Sequence, residues 1–302
     1  MHRLRILLLA DSHIGFDLPE RPRVRRHRRG HDFLTNYMRA LRPAFDADVD
    51  LVVHGGDVFD HPYVGSATGY QALEPLRRIA ERGIAVVIVP GNHERSRVPH
   101  LRFATHPNVH VFDRPRTFAI DVKGVRVALA GFPYQRRDVR QQFRTLLEST
   151  NWQREPDSVR LLCVHRCIEG ATVGPQNFKF TTARDVIRIN DVPPEFSAVF
   201  SGHIHRHQVL SRDLRGRRVA VPVFYPGSIE RTAYAEIGEE KGYMIVEIDS
   251  ERNVRWSFER LPTRPMTQPI RDERRAAAIA GNRRRHRSPA GPSDPAPLLL
   301  DI

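Results

Sequence analysis

The stretch that decides the fold is Ile84-Ala85-Val86-Val87-Ile88-Val89-Pro90-Gly91-Asn92-His93-Glu94. Its first six residues are apolar and mostly β-branched, and Pro-Gly then ends the run, which predicts a buried strand that leads into a tight turn. Asn92 and His93 place an amide oxygen and an imidazole at the end of this turn. The turn therefore offers a neutral oxygen ligand beside a group that can carry a proton.

Four other apolar runs end in the same way. They lead into Asp11-Ser12-His13, into His54-Gly55-Gly56-Asp57-Val58-Phe59-Asp60-His61, into His165, and into Ser201-Gly202-His203-Ile204-His205. Ligands of open α/β sheets bind beyond the carboxyl ends of the strands. We therefore expect the polar side chains that follow these five strands to lie together.

The polar groups at these strand ends suit a metal site. Carboxylate, amide oxygen and imidazole without thiolate are typical ligands of manganese, iron or zinc. Any one of these motifs alone is typical of a turn or of a histidine at the edge of the core, but five of them at five strand ends favour metal binding. The candidate ligands are too many for one ion and suit two ions that share a carboxylate: Asp11, His13, Asp57, Asn92, His165, His203 and His205.

The order of these motifs resembles a known family. D-x-H, G-D-x-x-D, G-N-H-E, a histidine at a strand end and G-H-x-H follow one another in residues 6–205 as in the calcineurin-like metallophosphoesterases. The segments Gly56–Asp60 and Tyr225–Arg231 are similar to those of the SbcD-type DNA repair nucleases within that family. The resemblance implies an α/β fold in four layers, with a two-sheet β-sandwich flanked by helices.

The resemblance also implies a mechanism with two divalent ions, manganese in the nuclease case, with iron and zinc as alternatives. The first ion would take Asp11, His13, Asp57 and His205, and the second would take Asp57, Asn92, His165 and His203. A hydroxide that bridges the ions would attack the phosphorus in line with the leaving oxygen. His93 would protonate the leaving group or stabilise the phosphoryl oxygens. Some nucleases of the family carry histidine where this chain has Asp60, and Asp60 is expected to orient a metal-bound histidine or to close the loop.

The net charge of +13 is concentrated in two segments. Residues 262–288 carry eight arginines and two acidic residues, and residues 21–29 carry six arginines and no acidic residue. Together they account for +12 of the total, as expected of segments that contact polyanions. We therefore predict that the arginines of residues 21–29 contact the phosphate backbone of DNA. A solvated loop is the simpler alternative for this segment. The six residues are Arg21, Arg23, Arg25, Arg26, Arg28 and Arg29.

Apolar periodicity predicts the remaining elements. Helical spacing is found in 31–45, 65–81 and 139–149, although Pro75 weakens the second of these. Alternating or continuous apolar runs at 109–112, 117–122 and 125–130 predict strands, and Lys123-Gly124 is expected to form a two-residue hairpin turn. A further set of strands is predicted in residues 209–258.

The pattern divides the chain into a catalytic domain at 1–261 and a second segment at 262–302. Three prolines space out a basic linker, a short basic helix is predicted at 271–287, and the Pro/Ser/Gly-rich end is expected to be disordered. SbcD-type subunits usually continue into a capping domain and an ATPase-docking segment. The residues after Phe258 are too few for a full cap, but a short docking helix could fit there.

The function that fits these observations is a two-metal phosphodiesterase that acts on DNA as an exonuclease of the SbcD type. The resemblance implies an SbcC-like ATPase partner and a homodimer with two sites on one DNA. A phosphoesterase for a small nucleotide or phosphodiester metabolite is the alternative, and a non-catalytic scaffold is a third. No apolar run is long enough for a membrane helix, and the N-terminus lacks a signal-peptide pattern, so a cytoplasmic enzyme without membrane contact is expected.

Overall fold

The computed structural model of the chain describes residues 3–18, 28–156 and 158–266. Its α-helices are α1 (Gly30–Phe45), α2 (Ser66–Glu81) and α3 (Val139–Ser149). Its strands are β1 (Leu4–Leu9), β2 (Leu51–His54), β3 (Ala85–Ile88), β4 (Val109–Val111), β5 (Arg116–Val122), β6 (Val125–Gly131), β7 (Val159–His165), β8 (Cys167–Ile168), β9 (Thr172–Val173), β10 (Phe178–Lys179), β11 (Val186–Ile187), β12 (Ala198–Gly202), β13 (Gln208–Arg212), β14 (Arg218–Tyr225), β15 (Gly242–Ile248) and β16 (Val254–Arg260).

Two six-stranded mixed sheets form the centre of the fold. The first has the strand order β16-β15-β1-β2-β3-β4, and the second has the order β13-β14-β12-β7-β6-β5. Strands β1 to β4 run parallel to one another, as do β6, β7, β12 and β14 in the second sheet. The antiparallel pairings lie towards the edges. In the first sheet β15 is antiparallel to β1 and to β16, and in the second β5 is antiparallel to β6 and β13 to β14.

The alternation of side chains along β1 shows how the layers are built. Leu4, Ile6 and Leu8 belong to a buried cluster that includes Leu129 and Phe200 of the second sheet. Leu7 and Leu9 point to the opposite face, into a cluster with residues of α1 and α2. A third cluster covers the outer face of the second sheet with α3 and the segment before β12. The result is four layers, helices and sheet on each side of one interlayer core, which confirms the predicted fold class.

The local predictions agree with the structure at the level of elements. The three helices occur where apolar spacing predicts them, and α2 accommodates Pro75 in its interior. Lys123 and Gly124 both have positive φ, at 47° and 83°, which is the backbone of a two-residue hairpin turn. The late set of strands, however, divides between the sheets, since β13 and β14 join the second whereas β15 and β16 join the first.

The chain up to Arg264 groups into one compact unit. The predicted boundary after residue 261 stays a prediction. Pro262 and Thr263 belong to this unit and contact its other residues: the Asn36 side-chain amide donates to the Pro262 carbonyl at 3.0 Å, and Arg231 Nη1 donates to Thr263 Oγ1 at 2.7 Å. The basic helix predicted at 271–287 and the predicted disordered end lie outside the described residues. Within the described ranges, no helix has both the length and the apolar character that crossing a bilayer needs.

Candidate metal centre

The five strand-end motifs meet at one place, but two sheets supply them. Strands β1, β2 and β3 of the first sheet lead to Asp11, Asp57 and Asn92, and strands β7 and β12 of the second sheet lead to His165 and His203. The site therefore lies where the carboxyl ends of two parallel strand sets face each other. An open single sheet, which the strand-end argument assumes, would not bring the two sets together.

One side of the cluster joins two histidines to a carboxylate. Asp11, His13 and His205 each place a ligand atom within 4.8 Å of the other two. The Nε2 atoms of His13 and His205 are only 3.0 Å apart, so both rings direct a nitrogen to the same point. Three buried or half-buried donors that converge in this way are suited to one cation.

The other side of the cluster is built around an amide oxygen. Asn92 Oδ1 lies 3.0 Å from His165 Nε2 and 2.8 Å from His203 Nδ1. Asp57 Oδ2 lies 3.2 Å from His165 Nε2, and Asp11 Oδ1 is 4.0 Å from the same nitrogen. Together with the first group, all seven predicted ligands form one continuous cluster.

Three of the four histidines are held by the ring nitrogen that faces away from the cluster. His13 Nδ1 donates to Asp60 Oδ1 at 3.1 Å, His205 Nδ1 donates to Glu236 Oε1 at 3.1 Å, and His165 Nδ1 donates to the Gly55 carbonyl at 2.8 Å. These contacts fix the tautomer that leaves Nε2 with its lone pair, as metal-bound histidines require. The donor set and its support therefore fit two divalent cations.

The backbone at this site is strained in a consistent pattern. Asp11, His13, Asp57 and His203 have φ values of 50°, 44°, 50° and 80°, in the left-handed region that non-glycine residues rarely adopt. Such conformations persist where the surrounding structure fixes them, and they cluster at functional sites. Here the main-chain N–H groups of Asp11 and His13 donate to the carbonyls of Gly56 and Asp57, at 2.8 and 3.0 Å.

The carboxylates and histidines of the cluster shift one another's pKa values. Burial alone would lower the pKa of His165, but the charges of Asp57 and Asp11 raise it to about 9. Burial would raise the pKa of Asp57, but the charge and hydrogen bond of His165 outweigh it and hold that pKa below its ordinary range. Burial and the charges of His165 and Arg166 lower the pKa of His203. A cation beside these carboxylates would displace the proton from His165.

His93 lies at the open side of the cluster. Its side chain is 39% exposed, and its ring packs edge-on against His13 with centroids 4.6 Å apart. Nδ1 donates to the main-chain carbonyl of Asp60 at 2.6 Å, and the His93 N–H donates to Asp57 Oδ1 at 2.9 Å. The Nδ1 contact leaves Nε2 as the nitrogen available to a substrate.

Glu94 joins the two loops that carry Asp57 and Asn92. Its buried carboxyl group accepts from the Phe59 N–H and from the Gly91 N–H, both at 3.0 Å. Burial and the charge of Asp57 raise the pKa of Glu94 to about 8. Gly91 is required beside it, because a Cβ at this position would overlap the Asp57 side chain.

Comparison with known proteins agrees with this geometry. Residues 4–207 match the calcineurin-like phosphoesterase family. The chain belongs to that family. This membership confirms the family predicted from the motif order and supports a metal-dependent phosphoesterase. The protein TT1561 of Thermus thermophilus has a similar fold, with a TM-score of 0.52 and 12% identity over 85% of this chain and 99% of that one.

Several curated relatives of the chain are named as nucleases or DNA repair proteins. The DNA double-strand break repair protein Mre11 of Methanopyrus kandleri is 24% identical over 84% of this chain and 56% of its own length. The SbcD subunit of the nuclease SbcCD of Bacillus subtilis is 24% identical over 84% of this chain and 68% of its own. The uncharacterized metallophosphoesterase YhaO of the same organism is 26% identical, over 70% and 48%. The chain thus spans about half the length of several relatives.

Sequence reasoning about this phosphoesterase missed some supporting residues. Glu236, which holds His205, comes from a loop 31 residues later and has no local motif. Arg166 is 1% exposed, its guanidinium carbon lies 4.6 Å from the centre of the Tyr134 ring, and its Nε and Nη2 have no hydrogen-bond partner within the described part of the chain. Its charge helps to keep His203 neutral, as a ligand must be.

The segment Tyr225–Arg231, which carries the nuclease resemblance, hydrogen-bonds to the main chain that holds two of the candidate histidine ligands. The Tyr225 hydroxyl donates to the Arg166 carbonyl at 2.9 Å and accepts from the Ile168 N–H at 2.8 Å. The Ser228 N–H donates to the His205 carbonyl at 3.0 Å. The segment therefore fixes the main chain next to His165 and at His205, and it accounts for a motif whose role the sequence left open.

The structure describes only the last two arginines of the predicted DNA-binding segment. Arg28 Nη1 pairs with Asp17 Oδ1 at 2.6 Å, and Arg29 Nη2 pairs with the buried Glu230 at 2.8 Å. Both side chains hold the end of the segment against the fold, so their predicted contact with DNA stays a prediction. The other four lie outside the described residues: Arg21, Arg23, Arg25 and Arg26.

Asp60 offers a test of histidine support. Asp60→Ala removes the carboxylate that orients His13 but leaves the main-chain carbonyl that orients His93. We expect the affinity for Mn²⁺ to fall by about 10–100-fold, the usual effect of losing such a contact. Titration calorimetry on the metal-free protein measures this change, and Asp113→Ala, which removes an exposed carboxylate, is the matched control. An unchanged affinity would show that Asp60 does not support a ligand.

His54 gives the protein a predicted acid sensitivity. Its Nδ1 accepts from the Gly56 N–H at 3.2 Å, its Nε2 lies 2.8 Å from Ser12 Oγ, and burial lowers its pKa to about 3. The ring is neutral in the folded protein but takes up a proton below about pH 6.5 when unfolded. The contribution of the neutral His54 ring to the free energy of unfolding is fully present above about pH 6.5. This contribution is lost as the pH falls towards about 3.

We expect the free energy of unfolding to drop by about 3 kcal/mol between about pH 7 and pH 4 because of this residue. Urea unfolding in EDTA at several pH values measures the slope. His54→Asn keeps an acceptor near the Nδ1 position and should flatten the slope, whereas His106→Asn should not. The prediction is wrong if the slopes of the wild type and His54→Asn coincide.

Proposed function

We propose that this phosphoesterase is a two-metal-dependent phosphodiesterase that acts on DNA, as an exonuclease of the SbcD type. The observation that carries the proposal is the convergence of seven ligand side chains beside the half-exposed His93. A metal-stabilised scaffold would need the ligands but not an imidazole oriented at the open rim. The names of the relatives, which refer to a nuclease and to double-strand break repair, support DNA as the substrate.

The ligand groups fall naturally into two sets. Asp11, His13, Asp57 and His205 would hold one divalent ion, and Asn92, His165 and His203 would hold the other together with Asp57. Asp57 is the residue to share, because a carboxylate has two oxygens and this one lies within reach of both His13 and His165. Bound divalent cations supply Lewis-acid polarisation of the phosphate and make water a nucleophile near neutral pH.

The protein's own residues handle the leaving group. His93 Nε2 is directed to the open side, and the Asp60 carbonyl holds the proton on Nδ1. We propose that His93 acts as general acid in its doubly protonated form: it gives its Nε2 proton to the departing alkoxide and keeps the Nδ1 proton that the Asp60 carbonyl holds. A sugar alkoxide is a poor leaving group, so this proton is needed for DNA.

The remaining features stay predictions for this chain. These are manganese as the metal, a role in DNA repair, an SbcC-like ATPase partner, a homodimer and a cytoplasmic location. A small nucleotide or phosphodiester metabolite stays the alternative substrate class, and the assay described next distinguishes it from DNA.

The test compares end-labelled DNA with bis-p-nitrophenyl phosphate, each with added Mn²⁺. Release of mononucleotides from DNA, with a steep loss at higher salt, would support the nuclease, since phosphate contacts weaken as salt rises. Hydrolysis of the small diester alone would move the substrate to a nucleotide or metabolite. Absence of both activities in protein that has bound metal would contradict the proposal.

A further inference from the structure

A cleft of about 930 Å³ opens beside the metal centre and takes its walls from the same two loops. One wall is Pro62 and Tyr63, just beyond Asp60, and the other is residues 94–101, which follow His93. The His93–Asp60 contact joins these two loops. The cleft therefore lies beside the two loops that hold the proposed general acid, and its volume is ordinary for a small-ligand site.

An exposed aromatic ring and a guanidinium meet at the mouth of this cleft. Tyr63 is 75% exposed, the largest exposed fraction among the large apolar side chains of the described chain. The Arg95 guanidinium carbon lies 5.5 Å from the centre of the Tyr63 ring, and Arg95 Nη1 donates to the Tyr63 hydroxyl at 3.4 Å. The contact orients the ring and leaves most of its surface to solvent.

The charge around this ring is positive. Arg95 and Arg97 line the cleft, and within the described ranges neither guanidinium is paired with a carboxylate. The two acidic residues of the lining are already engaged. Glu94 accepts from two main-chain N–H groups, and Asp113 pairs with Arg114 and Arg116 at 3.4 and 3.2 Å. The cleft thus offers an aromatic surface and two positive charges that are not neutralised by its acidic residues.

The cleft walls are also fixed in place. His100 Nε2 donates to the Val64 carbonyl at 2.7 Å and ties the second wall to the first. The Ser96 hydroxyl donates to the Tyr134 carbonyl, and Val98 is buried beneath the loop. A preformed site loses less entropy on binding than a flexible one.

From these observations we propose that Tyr63 and Arg95 form a stacking platform for the nucleobase next to the scissile phosphate. Every base presents a flat π-face that can stack on an aromatic side chain, and Arg97, which lines the same cleft, suits an adjoining phosphate. The sequence showed no such platform, because Tyr63 and Arg95 are 32 residues apart. The inference rests on the proposed phosphodiesterase function. It adds to that function a subsite that binds any of the bases by stacking, with no preference for one base.

The test uses a single-stranded oligonucleotide that contains 2-aminopurine, whose fluorescence is quenched by stacking. The full chain is titrated in EDTA, which prevents turnover, and an abasic strand of the same length serves as a second ligand. We expect Tyr63→Ala to weaken binding of the base-containing strand about ten-fold and to lose the quenching. Binding of the abasic strand should stay unchanged.

Two matched variants control for folding and for simple loss of a tyrosine. Tyr63→Phe keeps the ring and should bind like the wild type. Tyr70→Ala removes an exposed tyrosine of α2 outside the cleft lining and should also have no effect. Quenching that survives Tyr63→Ala, or equal loss of binding for both strands, would overturn the platform.

A third arm separates this inference from the proposed function. The deoxynucleoside 5′-monophosphate of 2-aminopurine is titrated alone, and hydrolysis of DNA is followed with Mn²⁺. Quenching of the mononucleotide that depends on Tyr63, without DNA cleavage by the wild type, would retain the nucleobase subsite and overturn DNA as the substrate. Cleavage of DNA in which Tyr63→Ala leaves KM unchanged would retain the function and overturn the platform.

Discussion

His93→Ala is expected to lower kcat on DNA by about 10²–10⁴-fold, the usual contribution of a positioned acid. The structure gives the physical reason, since the ring is half exposed beside the ligand cluster and its Nδ1 is held by the Asp60 carbonyl. Steady-state hydrolysis of end-labelled DNA with Mn²⁺ measures the loss. KM should change little, because the imidazole contributes its proton in the transition state rather than in the ground state.

The leaving group distinguishes the two roles predicted for His93. A nitrophenolate leaves readily without a proton, whereas a sugar alkoxide does not, so a general acid should matter far less for bis-p-nitrophenyl phosphate than for DNA. Equal losses on both substrates would show that His93 instead stabilises the phosphoryl oxygens. His106→Ala is the matched control. That histidine precedes β4 and so lies at the amino-terminal end of the parallel strands, whereas the candidate ligands lie at their carboxyl ends. An unaltered rate on DNA would exclude His93 from the chemistry.

Asp57→Asn is expected to have an effect of similar or greater size. Asparagine can still accept from the His93 N–H, but it lacks the negative charge that two cations would share. Removing several kcal/mol of electrostatic stabilisation corresponds to a loss of about 10³-fold or more in kcat. Metal content after gel filtration should fall from two ions per chain to one or none.

Asp50→Asn provides the control for that substitution. Asp50 is also a buried carboxylate, but it lies at the other end of β2, where it accepts from the Arg5 N–H at 2.9 Å. Its substitution should leave both the metal content and kcat unchanged. Two ions per chain together with wild-type turnover in Asp57→Asn would contradict a shared carboxylate at this position.

Much of the site could be predicted from the sequence because each ligand follows directly on a buried strand. The direction of Asp11 or Asn92 depends on one strand and one turn, and both leave a local pattern. Glu236 leaves no such pattern, since its contact with His205 depends on how two distant loops pack. The Tyr63–Arg95 pair was missed for the same reason.

The fold shows the same division between local and distant information. Strands and helices could be predicted from apolar spacing, but not the return of β15 to the first sheet, where Leu4 pairs with Ile248. That pairing depends on the register of residues at the two ends of the domain. The β1–β15 pairing assigns β15 and β16 to the first sheet, although β13 and β14, which precede them and have a similar apolar pattern, join the second.

The supply of ligands by both sheets has a mechanical consequence. The first ligand set joins Asp11 and His13 of one sheet to His205 of the other, and the second set joins Asn92 to His165 and His203. Each ion would therefore act as a cross-link between the two halves of the sandwich, with the interlayer core as the spacer that sets their separation. Loss of volume at a core residue far from the ligands, such as Leu4 at the start of β1, would then lower the affinity for the cations. Protein with bound cations would also resist sliding of one sheet over the other.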